Sequence, residues 1–198
     1  MLGIAGAPGA GKSTLAARLA EQLGTQAVLV PMDGFHLADV ALARLERLAR
    51  KGAPDTFDVG GYVALLTRVR QQQEDVVYAP RFDRHLEESI GSALPVPRAA
   101  PLVITEGNYL LHDEGGWDAV AARLDEVWFL DVAADERRNR LVSRRLSHDH
   151  PHDEAVAWVR DVETGRDAVV LCEHCHKVEE GGSASADAPP QEPPPART

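Results

Sequence analysis

The chain is poor in cysteine, in basic charge and in long apolar runs, and each shortage excludes something. Two cysteines among 198 residues cannot staple a disulfide scaffold and fit a reducing cytoplasm, the compartment expected here. No stretch approaches the roughly 18 consecutive apolar residues of a membrane span. The start, MLGIAGAPGAGK, has no basic segment ahead of its apolar residues and does not read as a signal peptide. Lys and Arg total 21 against 31 Asp and Glu, a net charge of −10. A duplex-binding domain needs a basic face to displace counterions, so neither nucleic acid nor a membrane is an expected partner.

With 44% of its residues hydrophobic, a chain of this length can bury one sizeable core. At roughly 150 residues per domain, one domain is expected, not two. Its expected extent is 1–176. The segment 177–198 holds five of the 13 prolines and no large apolar residue after Val178. Such a segment cannot offset its own ordering entropy and is expected to be a disordered tail.

Short apolar runs punctuate the rest: LGIAGA (2–7), AVLVPMD (27–33), VVYA (76–79), LVITEG (102–107) and EVWFLDV (126–132). Each is bounded by Gly, Pro or polar residues and is too short for a buried helix, so strands are expected. Runs apolar on both faces suit a parallel sheet covered on both sides. Between them, Leu15, Leu19 and Leu23 recur at helical spacing, as do Leu37, Ala41, Leu45 and Leu48. Alternating strands and helices predict an α/β domain, a three-layer α/β/α sandwich on a mainly parallel sheet. Ligands of such sheets bind beyond the carboxyl ends of the strands.

The first run leads into Gly6-Ala7-Pro8-Gly9-Ala10-Gly11-Lys12-Ser13, followed by Thr14, a full match to the phosphate-binding loop G-x-x-x-x-G-K-[ST]. Small residues are needed because backbone N–H groups must wrap a polyphosphate closely. A helix starting near Lys12 adds its partial positive end. Lys12 is expected on the β- and γ-phosphates and the Ser13 hydroxyl on Mg²⁺, so a nucleoside triphosphate is the expected ligand. The guanine-reading Asn-Lys-x-Asp signature is absent.

Acids follow two other runs. Asp33 stands in Pro31-Met32-Asp33-Gly34-Phe35-His36, where a carboxylate could take a proton from an attacking alcohol, hold Mg²⁺ through water, or merely belong to an Asp-Gly turn. Glu106 ends the fourth run, the expected place for the second carboxylate of a phosphate-loop site near Mg²⁺. The segment Tyr78–His85 packs cations, an acid and aromatics together, as a polar-substrate pocket or a plain solvated loop would. Five arginines lie between Asp135 and Leu146, and on a helix Arg137, Arg140 and Arg144 share a face able to close over a triphosphate.

Together these pieces resemble the P-loop kinases related to uridine kinase, pantothenate kinase and phosphoribulokinase. They are closest to the bacterial nucleoside/nucleotide kinase-like and fructose-transport-system kinase-like proteins. GAPGAGKST, PMDGFHL, RKGAPDTFD (50–58), YAPRFDR, LVITEGNYLL and the arginine-rich segment run in family order over about residues 1–165. The resemblance implies a transferase moving the γ-phosphoryl of ATP, with Mg²⁺, to a hydroxyl of a small metabolite such as pantothenate, a nucleoside, a sugar or glycerate. It gives Asp33 the catalytic-base role and Glu106 the acid near Mg²⁺. It sets Arg81 and Asp83 in the acceptor-binding segment, with His36 and Tyr109 beside it. It makes the segment of about 135–152 a lid bringing Arg140 and Arg144 to the nucleotide. The rival reading is an ATPase or regulatory nucleotide-binding protein without an acceptor.

Cys172-Glu173-His174-Cys175-His176 formally matches a haem-attachment pattern, and a zinc site could draw on the same residues, but a second cysteine pair is missing. These residues are read as incidental, and His148, His150 and His152 as a polar loop after the lid. If the chain oligomerises, a homodimer is the expected form.

Overall fold

The computed structural model describes residues 1–147, 151–166 and 176–179. Five parallel strands form the main sheet: β1 (Leu2–Gly6), β2 (Ala27–Leu29), β5 (Leu102–Gly107), β6 (Glu126–Asp131) and β7 (His176–Glu179). Their order is β2-β5-β1-β6-β7. β1 is therefore central, with Ala5 opposite Gly107 of β5 and Phe129 of β6. Every residue of β1 is buried, as its two-sided apolar composition requires.

The two faces carry separate cores. On one, Ile4, Ile104 and Leu130 pack with Ala16 and the partly buried Leu15 and Leu19 of α1 (Lys12–Leu23). On the other, Ala5, Val30 and Met32 meet Tyr62, Leu65, Leu66 and Val69 of α3 (Val59–Gln71) and the aromatic group Phe57, Tyr109 and Trp117. Trp117 precedes the short α4 (Asp118–Ala121). Helices on both faces of a parallel sheet make the expected α/β/α sandwich. Because β5 lies between β1 and β2, the chain leaving β1 crosses over it, and a crevice opens beyond the carboxyl ends of these strands. Beyond β6, α5 (Ala134–Leu146) and α6 (His152–Arg166) complete the described helices.

The expectation for 76–79 is corrected. VVYA does not join the parallel sheet. It opens β3 (Val76–Asp83), which pairs antiparallel with β4 (Glu88–Pro97) in a separate two-stranded sheet. Val77 and Ala79 face the core while Tyr78 is 54% exposed, the alternation of a strand wet on one side. Pro80, Pro95 and Pro97 cannot donate to a ladder, so these strands suit an edge. The helix expected across Leu37–Leu48 is also shorter: α2 is only Asp39–Arg44, and Glu46 has φ 56°. Leu42 is buried, whereas Leu45 and Leu48 are about half exposed. At the far end β7 pairs with β6, so Lys177–Glu179, expected in the tail, extend the sheet. Among the described residues no helix is long and apolar enough to cross a membrane.

Candidate active site

Three stretches of chain converge at the crevice. The loop after β1 turns through Gly9 (φ 81°) and Gly11 (φ 94°), and Gly11 starts α1. At Gly9 the requirement is double: the conformation is left-handed, and a Cβ would lie 2.7 Å from the Arg137 carbonyl oxygen of α5. The arginine helix thus sits directly on the phosphate loop. Lys12 is buried, and its ammonium donates to Ala7 O at 3.0 Å and Asn108 Oδ1 at 2.6 Å. Burial lowers its pKa to about 8, against the opposing pull of Glu106 and Asp33.

Glu106, the last residue but one of β5, is almost wholly buried, and its Oε1 accepts from Ser13 Oγ at 3.1 Å. Burial raises its pKa, and the nearby Asp33 charge adds to this, while Lys12 and Ser13 oppose it. A hydroxyl and a carboxylate oxygen side by side at a phosphate loop are hard donors of the kind Mg²⁺ takes, so the residues present fit that ion.

Asp33 lies in a 3₁₀ turn, Met32–Phe35, reached after β2, whose alignment Val30 continues by donating to Ile104 O. Its Oδ2 accepts from Arg84 Nη2 at 3.2 Å. The β3–β4 hairpin presses on this turn, since a Cβ at Gly34 would fall 2.4 Å from Pro80 O. A cavity of about 540 Å³ joins these groups, lined by Lys12, Ser13, Asp33 and Glu106. That is ample for a small ligand, since binding pockets run roughly 300–1,000 Å³. Pro8, Gly9, Gly11 and Thr14 also line it, as do Arg140 and Arg144. Gly6, Ala7 and Ala10 are not among its lining residues. Arg140 donates to Ala10 O at 3.4 Å and pairs with Glu136 at 2.6 Å.

Several expectations change at the acceptor side. Arg81 and Asp83 do not line the cavity; Phe82 does, on the face of β3 opposite its two neighbours, and so does Arg84 from the turn that follows, held toward Asp33. Asp83 instead fixes the hairpin turn, its Oδ1 accepting from the N–H groups of His85 and Leu86, which hold its carboxyl below the usual range. Tyr109 is buried away from the cavity, and its hydroxyl donates to Gly52 O at 2.7 Å, anchoring the loop that carries Lys51 and Gly52 to the site. His36 does line the cavity, its ring between Phe57 and Phe82 at 4.1 and 4.7 Å and its Nδ1–H donating to Asp33 O.

Asn108, Lys51, Arg84 and Arg145 also line the cavity and were not anticipated. Each stood within or beside a segment singled out above: Asn108 two residues past Glu106, Lys51 in RKGAPDTFD, Arg84 within Tyr78–His85 and Arg145 in the arginine-rich run. Of the segment expected as a lid, residues up to Leu146 form the helix α5, whose Arg140, Leu141, Arg144 and Arg145 line one side of the cavity. Residues 148–150 and 172–175 lie outside the described residues, and with them His148, His150 and the cysteines.

A parallel sheet in this order, with a glycine loop, a buried lysine and a Ser–Glu pair at its switch point, defines a P-loop nucleotide-binding protein. The chain belongs to the AAA domain family, whose model matches residues 1–163. It is 34% identical over 155 residues to a Schizosaccharomyces pombe protein named as a uridine kinase, covering 74% of this chain and 66% of that one. It is 39% identical over 145 residues to YggC of Escherichia coli, covering 71% and 59%. The chain thus spans about two thirds or less of these relatives. A solved structure from Silicibacter sp. TM1040, named as a fructose transport system kinase, superposes with a TM-score of 0.78 at 37% identity, over 89% of this chain and 88% of that one. These likenesses place the chain among P-loop proteins whose relatives include several named as kinases.

Proposed function

We propose that this protein transfers the γ-phosphoryl group of Mg·ATP to a hydroxyl of a small metabolite, with Asp33 as the base. The observation that carries this reading is one cavity shared by Lys12, the Ser13–Glu106 pair and Asp33. A carboxylate that interacts with both Lys12 and Glu106 without belonging to the phosphate loop stands where an acceptor must approach.

Phosphoryl transfer asks mainly for positioning and charge neutralisation. The loop N–H groups and Lys12 hold the β- and γ-phosphates, while Arg140 and Arg144 close from α5 and offset charge spreading over the γ-oxygens. Mg²⁺ held by Ser13 Oγ and the Glu106 carboxylate supplies further neutralisation when bound. The acceptor oxygen forms its bond to the γ-phosphorus as the bond to the β–γ bridging oxygen breaks; ADP leaves and the hydroxyl proton passes to Asp33. The low cysteine content suits a cytoplasmic setting for this chemistry.

An acceptor screen with coupled ADP detection tests the assignment. ADP release that rises with at least one added alcohol supports it. Release indifferent to every acceptor makes the protein an ATPase instead.

A further inference from the structure

We infer that the acceptor is a small hydroxylated anion, a hydroxy acid or a polyol phosphate, whose negative group is read by Arg84; this rests on the kinase reading above. Arg84 stands in the turn between β3 and β4, where the two Asp83 hydrogen bonds hold the backbone. A guanidinium carries five donors in a planar fork. Among the described residues, Arg84 uses one of them in a hydrogen bond, to Asp33, and its side chain is 46% exposed. The remaining N–H groups are therefore available beside the carboxylate that takes the acceptor's proton, the geometry a carboxylate or phosphate exploits two-handedly. Since Arg84 Nη2 is only 3.2 Å from Asp33 Oδ2, the anionic group must lie within a few bonds of the reacting hydroxyl.

The wall next to Arg84 favours an anion over a nucleobase. The His36 ring lies in tilted contact with Phe57 on one side and Phe82 on the other, both at 44°. The Phe82 ring also has the Lys51 ammonium 5.6 Å and the Arg84 guanidinium 6.0 Å from its centre. A base inserted here would have to part rings already in contact, whereas an anion meets two cations flanking one ring. Lys51 is tied to Asp39 at 2.5 Å and to the Glu87 carbonyl, so it adds field from a fixed position.

Matched acceptor pairs test this with the full chain and Mg·ATP: glycerate against glycerol, ribose 5-phosphate against ribose, with uridine as a neutral nucleoside. The anionic member of at least one pair is expected to win, and which pair responds separates carboxylate from phosphate. In Arg84→Gln the ratio of its KM to that of the neutral member should rise about 10–100-fold, the worth of a charge-assisted contact, and Arg84→Lys should recover part of the loss. A neutral member used as well as its acid, or a preference unchanged in Arg84→Gln, overturns the inference. Should no acceptor be phosphorylated, the kinase reading fails by itself, and calorimetry of the ADP-loaded protein decides the anion site. Glycerate or inorganic phosphate binding that Arg84→Gln abolishes supports it, and no binding refutes it.

Discussion

Lys12 and Asn108, 96 positions apart in the chain, meet with the ammonium 2.6 Å from the amide oxygen. The contact spans the central strand pair: Lys12 follows β1 and Asn108 follows β5, and the two strands are hydrogen-bonded neighbours. It gives the buried lysine a partner that is neutral, so the charge is solvated without being cancelled. A lysine whose direct hydrogen-bond partners are uncharged is poised for phosphate.

The protonation of Lys12 should govern nucleotide affinity. With a pKa of about 8, the ammonium is charged below that pH and loses its charge above it. Binding of ATP measured in EDTA should be flat below pH 8 and weaken by up to about tenfold per pH unit beyond it. Asn108→Ala removes a hydrogen bond that favours the charged form and should move this limb to lower pH. An unmoved limb in that variant would show that Asn108 does not support the lysine.

Burial of Lys12 also costs stability. The folded pKa of about 8 lies below the ordinary 10.5, so the folded state binds fewer protons between those values. The penalty, on the order of 3 kcal/mol, is full below pH 8 and vanishes above 10.5. Lys12→Met should therefore raise Tm at pH 7 while abolishing nucleotide binding, and its advantage should shrink as pH climbs from 8 to 10.5. Thermal melts across that range read this directly.

Asp33→Asn keeps the shape of the turn and removes the base. The kcat of phosphoryl transfer should fall about 10²–10⁴-fold with ATP affinity nearly unchanged. Turnover at the parental rate would eliminate Asp33 as the proton acceptor.

Gly34→Ala tests whether the hairpin positions the base. The new Cβ would meet Pro80 O at 2.4 Å, a rigid backbone atom. Separation of the turn from β3 should cost about 1–3 kcal/mol of stability and displace Asp33 from Arg84. Loss of kcat beyond what the melting shift explains would be the signature.

Much of the frame was legible along the chain. Gly6–Thr14 announced the loop because its chemistry is local: a polyphosphate touching backbone demands small residues in a row. Glu106 was legible for a similar reason, since it ends an apolar run and ligands gather at strand ends. The run at 76–79 misled because four apolar residues look alike in a parallel sheet and in a half-wet hairpin; what separates them is the partner strand, Glu88–Pro97, whose pattern carries no such apolar run. Tyr109 misled differently. It adjoins a matched motif, but its position three residues beyond Glu106 turns it into the aromatic core.

The order of residues by itself determined a phosphate loop on a strand-to-helix turn, an acid at each of two strand ends and an arginine-rich helix, because each depends on neighbours a few positions away. Only the tertiary structure decided that Arg84 and not Arg81 faces the base, that Asn108 holds the lysine, and that α5 rests on Gly9. Those facts follow from strand pairing and side-chain direction across distant segments, where a shift of one residue reverses the face presented.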